Sequence, residues 1–190
     1  VKKQALCVFG LVGSMVFFYQ LIFTWSPSGL SQHFDFSLKT MLFNNTIAML
    51  FFIVFIFIGA WLVDCVGRRV VLALSILLLM LFSGFFFSGV GGHGSSMLLF
   101  GFCFSASIFG LFMASVNAVY CEVFPAKIRV LTLALAYNIP AAIIGGLAPT
   151  FFNRSIIVFG LLPMVLAIIF FGLLGLICAF KVDDLTGKEI

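Results

Sequence analysis

Asp64-Cys65-Val66-Gly67-Arg68-Arg69 is an island of charge between two long apolar runs. Met41 to Val63 carries no ionisable group, and neither does Val70 to Gly92. Two uncharged rods joined by so short a hairpin fit a bilayer: each rod crosses the hydrocarbon, and the hairpin keeps its charges at the water boundary.

The whole chain has the same character. It is 64% hydrophobic and 8% charged, with 27 Phe and a mean hydropathy of +1.31. A water-soluble domain of 190 residues has no means of hiding that much apolar surface behind so few charges. The net charge of +4 does not indicate nucleic acid, because the basic residues are scattered along the chain and flank apolar stretches. The implied partner is the lipid bilayer.

Six stretches are long enough to span: Ala5 to Trp25, Met41 to Leu62, Val70 to Val90, Ser96 to Cys121, Val130 to Phe152 and Val158 to Phe180. None contains Asp, Glu, Lys or Arg. The third holds fourteen Val, Leu, Ile or Phe. At roughly −0.3 to −0.6 kcal/mol each, these favour insertion by about 4 to 8 kcal/mol, whereas one central Arg costs about 3. Transmembrane β-strands would need alternating segments of about ten residues, and these runs are longer and apolar on every face. The expected fold is therefore an all-α membrane protein, a bundle of six transmembrane helices.

Lys2, Lys3, Arg68, Arg69, Lys127, Arg129, Lys181 and Lys188 fall on one side of this arrangement, and only Lys39 and Arg154 on the other. This bias places both termini in the cytoplasm. The first stretch is too long for a signal peptide, lacks a small-x-small cleavage site and is followed by five more spans. The connections are short, with Ser26 to Thr40 the longest. The chain starts with Val, which fits a fragment or a processed product.

Two connectors carry a family resemblance. The first reads Ala60-Trp61-Leu62-Val63-Asp64-Cys65-Val66-Gly67-Arg68-Arg69 and resembles the cytoplasmic Gly-x-Leu-(Ala/Ser)-Asp-Arg-x-Gly-Arg-Arg loop of the major facilitator superfamily. It keeps Leu62, Asp64, Gly67, Arg68 and Arg69 and departs at Ala60, Val63 and Cys65. The second reads Glu122-Val123-Phe124-Pro125-Ala126-Lys127-Ile128-Arg129 and leads through Tyr137-Asn138 to Gly145-Gly146-Leu147-Ala148-Pro149. It is similar to the helix 10 to 11 region of the metabolite:proton symporter branch, which includes proline/betaine, citrate and α-ketoglutarate permeases. Phe18-Tyr19 followed by Trp25-Ser26-Pro27 resembles that branch's helix 7. The resemblance implies half of a twelve-helix fold, helices 7 to 12, whose partner is a missing amino-terminal six-helix half. It also implies a bacterial inner-membrane carrier that moves a small solute by alternating access. The proton is the implied coupling ion, and no other cofactor is expected.

The charged connectors sit where such a carrier has its inner gate. Gly67 suits a positive-φ bend, and Pro125 stops one helix and orients the next. Asp64, Arg68, Glu122 and Arg129 are expected to form an ion-pair cluster that latches the gate, with Arg69 beside it; anchoring at lipid headgroups is the alternative reading of these charges. Within the spans, the polar side chains Tyr19, Gln20, Thr24, Asn44, Asn45, Ser107, Tyr137 and Asn138 need partners in lipid. They are expected either to face a water-filled substrate path or to bond between helices. Tyr19 and Trp25 offer aromatic faces to a quaternary ammonium. Ala106, Gly110, Ala114 and Ala118 recur every four residues, the spacing of a close-packed helix seam. Pro140 removes a backbone hydrogen bond and, with Gly145 and Gly146, is expected either to mark a hinge or to adjust helix packing.

No span contains Asp, Glu, Lys, Arg or His, so the groups that titrate in a proton-driven carrier are expected in the missing half. The same lack favours proline or betaine over a multiply charged acid such as citrate or α-ketoglutarate. A membrane enzyme would need an intramembrane His/Asp or Ser/His constellation, and the spans contain none. A non-transporting structural membrane protein is the remaining alternative.

Overall fold

The computed structural model describes residues 2–34, 36–89, 95–123 and 126–182, without the side chains of residues 2–3, 84–89, 95–96, 121–123 and 126–129. Every element in it is helical: α1 (Lys2–Tyr19), a π-helical segment (Gln20–Trp25), α2 (Ser26–His33), α3 (Leu38–Val66), α4 (Arg68–Gly89), α5 (Ser95–Val123), α6 (Ala126–Phe159) and α7 (Leu162–Lys181). The first three run on without a break, so six rods result. Five of the rods are long and apolar enough to cross a membrane over described residues alone. In hydrocarbon a backbone N–H or C=O has no water to bond, and an α-helix satisfies both within one segment.

Two glycines make the tight connections. Gly67 takes φ 99°, the positive-φ bend expected there, and its N–H bonds the Val63 carbonyl at 3.1 Å as α3 ends. Gly160 takes φ 70° and closes α6 in the same way on the Ile156 carbonyl at 3.1 Å. Pro163 then opens α7 in its first turn, where a missing N–H costs nothing.

The helices overrun the stretches that hydropathy marks. Ser26 to His33 is helix rather than the start of a loop, and residues 153–159 extend α6, so that α7 begins at Leu162 rather than Val158. Ser26-Pro27 reads as punctuation in sequence. The π-helical segment ahead of it leaves Pro27 in the first turn of α2, a position proline tolerates.

α1 lies at the centre of the bundle, against α5, α6 and α7. Exchanging α1, α3 and α4 for α5, α6 and α7 turns packed pairs into packed pairs. α3 on α5 becomes α6 on α1, α4 on α5 becomes α7 on α1, and α4 on α7 maps onto itself. This is the pattern of two three-helix repeats of opposite direction, as in many transporter folds. The tightest seam joins α3 to α5. A Cβ on Gly110 would stand 2.9 Å from the Phe52 carbonyl oxygen and 3.1 Å from the Ile56 nitrogen, and one on Gly59 would stand 3.0 Å from the Ala114 Cβ. The Ala106-Gly110-Ala114 repeat is thus a packing seam, where small residues let backbones touch.

Candidate functional site

Polar groups gather at two places, and the first is the π-helical turn. Proline has no N–H to return to the preceding turn, so Pro27 leaves the Phe23 carbonyl, four residues upstream, without that donor. Asn45 of α3 supplies one instead, with Nδ2 3.3 Å from the Phe23 oxygen. Ser26 Oγ donates to the Leu21 carbonyl at 2.5 Å, an oxygen that the Ser26 backbone N–H also reaches in the π-helical register. A neighbouring helix thus satisfies what the proline releases, as membrane helices require. π-turns occur often at functional sites.

Around this turn, Tyr19 is 43% exposed and its ring lies 5.5 Å from that of Phe23 and 6.2 Å from that of Phe109. Gln20 lies against α6, its Nε2 3.2 Å from where a Cβ of Gly145 would be. A side chain at Gly145 would meet it, whereas a Cβ on Gly146 meets nothing within 4 Å. Gln20 Oε1, Asn45 Oδ1 and Asn44 Nδ2 are buried without a protein partner. Buried polar groups are normally satisfied, and one left bare costs about 1–3 kcal/mol. Trp25 does not serve as an open aromatic face: it is 1% exposed, packs on Phe152 with ring centroids 5.6 Å apart, and donates Nε1–H to Asn153 Oδ1 at 2.8 Å.

The second place is a cleft of about 420 Å³ between α1, α5 and α6. Tyr137 and Asn138 line it, as do Asn117 and Tyr120 of α5. The Tyr120 hydroxyl is buried and lacks a protein partner. Asn138 Nδ2 donates to the Ala134 carbonyl of its own helix at 2.8 Å. Sequence alone does not single out Asn117 and Tyr120, although their i, i+3 spacing puts both on one helix face. Ser107 is separate from both places. It donates to the Cys103 carbonyl at 2.7 Å and lines an apolar groove between α3, α4 and α5 among Phe51, Phe55, Phe100 and Phe104.

Of the residues expected at the gate, Asp64 is exposed in the last turn of α3 and Arg68 is half-buried at the start of α4. Pro125, and the side chains of Glu122 and Arg129, lie outside the described residues. Arg69 makes a contact that its neighbours in sequence do not announce. Its guanidinium donates to the Val182 carbonyl at 2.6 Å, where α7 ends. The last carbonyls of a helix lack intrahelical donors and carry partial negative charge, and the packing of α4 on α7 brings the cation to them. The hinge residue Pro140 lies within α6, which continues as helix through both Pro140 and Pro149.

The profile of the "Sugar (and other) transporter" family matches residues 2–188. The chain belongs to this family. With it comes membership of the major facilitator superfamily, and the six-helix bundle fits half of that fold. Among curated proteins, the inner membrane metabolite transport protein YhjE of Escherichia coli (strain K12) is 25% identical over 153 residues, which cover 78% of this chain and 35% of that protein. The chain thus spans about a third of the relative it matches. A family of membrane transporters accounts for a few amides and hydroxyls buried within otherwise apolar spans.

Proposed function

We propose that the chain is the carboxy-terminal half of a secondary active carrier of the metabolite:proton symporter branch. Both termini are cytoplasmic, and Tyr19, Gln20, Asn45, Tyr137 and Asn138, together with Asn117 and Tyr120, contribute one wall of the solute path. The observation that carries this reading is the set of buried amide and hydroxyl atoms on the π-helical segment, α3 and α5 that no protein group satisfies. A solute or water that moves between these helices would satisfy them in turn. The amides and phenols offer hydrogen bonds without net charge, which suits a zwitterion such as proline or glycine betaine. A multiply charged acid would call for Arg or Lys, and none lines the described cleft.

Asp64, Gly67, Arg68, Arg69, Glu122, Pro125 and Arg129 form the cytoplasmic gate in this reading, breaking and re-forming contacts as the two halves rock, while Gly145, Gly146 and Pro140 allow α6 to flex. Proton coupling rests with titrating groups in the partner half. The relative's name, a metabolite transport protein, agrees with this class of activity. Uptake of radiolabelled proline and glycine betaine by vesicles containing the intact gene product, with and without a proton uncoupler, tests the reading. Uncoupler-sensitive uptake that falls with Gln20→Ala or Asn138→Ala supports it. Uptake of citrate in place of either solute, or none at all, overturns the substrate class or the activity respectively.

A further inference from the structure

Arg154 has a position that transport does not explain. It lies five residues before the end of α6, inside the apolar segment Val130–Phe159, about 7.5 Å from its terminus at 1.5 Å per residue. Ile157, Val158 and Phe159 beyond it are 73%, 62% and 72% exposed. Arg154 itself is exposed, and among the described residues nothing pairs with it. A cation within an apolar belt is costly unless an anion meets it or it reaches the headgroups.

Directly along the same face of α6 is a groove. Ile143, Leu147 and Phe151 recur every four residues, and Arg154 follows Phe151 by three, so all four share one side of the helix. The first three line a cavity of about 470 Å³ between α1, α6 and α7, closed on its far sides by Phe17, Leu166 and Phe170 and lined entirely by apolar residues. From Ile143 to Phe151 the groove runs about 12 Å along the helix, close to the roughly 15 Å depth of one hydrocarbon leaflet. A cation above an apolar slot of leaflet depth matches an anionic phospholipid in both charge and shape.

We propose that Arg154 and this groove form a binding site for an anionic phospholipid, phosphatidylglycerol in a bacterial membrane, drawn from the leaflet on the side opposite the chain termini. The phosphate pairs with Arg154, and one acyl chain lies along Ile143, Leu147 and Phe151 against α7. The lipid would then fill the gap between α6 and α7 and hold Arg154 at the headgroup level.

The test uses the intact gene product in nanodiscs of phosphatidylethanolamine and phosphatidylglycerol. Lipid retained on the purified protein, measured by mass spectrometry, should be enriched in phosphatidylglycerol. Arg154→Gln should lower that enrichment about fivefold, and Lys39→Gln, at the other cation of the same end, should leave it unchanged. A tryptophan placed by Leu147→Trp should be quenched more by phosphatidylglycerol with brominated chains than by the matching phosphatidylethanolamine, and Arg154→Gln in that background should abolish the difference. Equal quenching by both lipids means ordinary boundary lipid and overturns the site. Absence of quenching by either means that another segment of the protein covers the groove, which overturns it equally.

Discussion

Replacing Asn45 with leucine keeps the side-chain volume but withdraws the donor that reaches the Phe23 carbonyl at 3.3 Å. With Pro27 four residues downstream supplying no N–H, that oxygen would be left bare in an apolar surrounding. An unsatisfied buried acceptor costs about 1–3 kcal/mol in proteins generally, and interhelical hydrogen bonds in membranes average about 0.6 with a maximum near 1.7. A loss of roughly 1–2 kcal/mol follows, a fall of about 2–8 °C in Tm for a protein of this size. The proline provides the internal control. Pro27→Ala restores an N–H whose α-helical target is the Phe23 oxygen, so it should cost little alone and should recover most of the Asn45→Leu loss in the double variant. Thermal unfolding of all four proteins in nanodiscs gives the cycle directly. Uptake should stay low in the double variant despite its recovered stability, because the Asn45 amide is still missing from the solute path. If the double variant loses the simple sum of the single losses, Asn45 does not act through that carbonyl and the explanation of the π-turn fails.

Three further outcomes are expected. Gly110→Ala pushes a Cβ to 2.9 Å from the α3 backbone and should destabilise by about 1–3 kcal/mol, whereas Gly146→Ala, open around its Cβ, should be neutral or gain up to about 1 kcal/mol; denaturation of the two variants side by side checks this. Arg69→Gln should weaken the cap on α7 by about 0.3–1 kcal/mol, seen as faster hydrogen exchange in the last turn of α7 with the amides of α3 unchanged. Tyr120→Phe removes a buried hydroxyl that has no protein partner, so stability should hold or rise while the KM for solute increases; a Tm that drops with KM unaltered would give the hydroxyl a structural role instead.

Sequence revealed most where chemistry is local. Charge-free runs mark the helices because lipid excludes charge from them, Gly67 announces its bend through the lack of a Cβ, and the four-residue spacing of Ala106, Gly110 and Ala114 exposes the seam with α3. What stayed hidden depends on partners far along the chain. Arg69 and Val182 are 113 residues apart, so nothing near Arg69 shows that it caps α7. Pro27 looks like the end of a helix until Asn45, on another rod, compensates for it. Trp25 passes for a ligand-facing aromatic until Phe152 and Asn153 bury it. Tyr120 lies just before a loop motif whose charges draw attention away, and its cleft exists only once α6 packs across α5 and α1.

The claim that the α1/α5/α6 cleft belongs to a solute path, while the far face of α6 meets lipid, is tested most directly by thiol accessibility. In a background without native cysteines, Asn138→Cys should react with a membrane-impermeant maleimide and be protected by the transported solute. Ile143→Cys, 53% exposed on the apolar groove, should stay unreactive with or without solute. Equal labelling of the two positions, or labelling of Asn138→Cys that solute leaves untouched, would contradict the account.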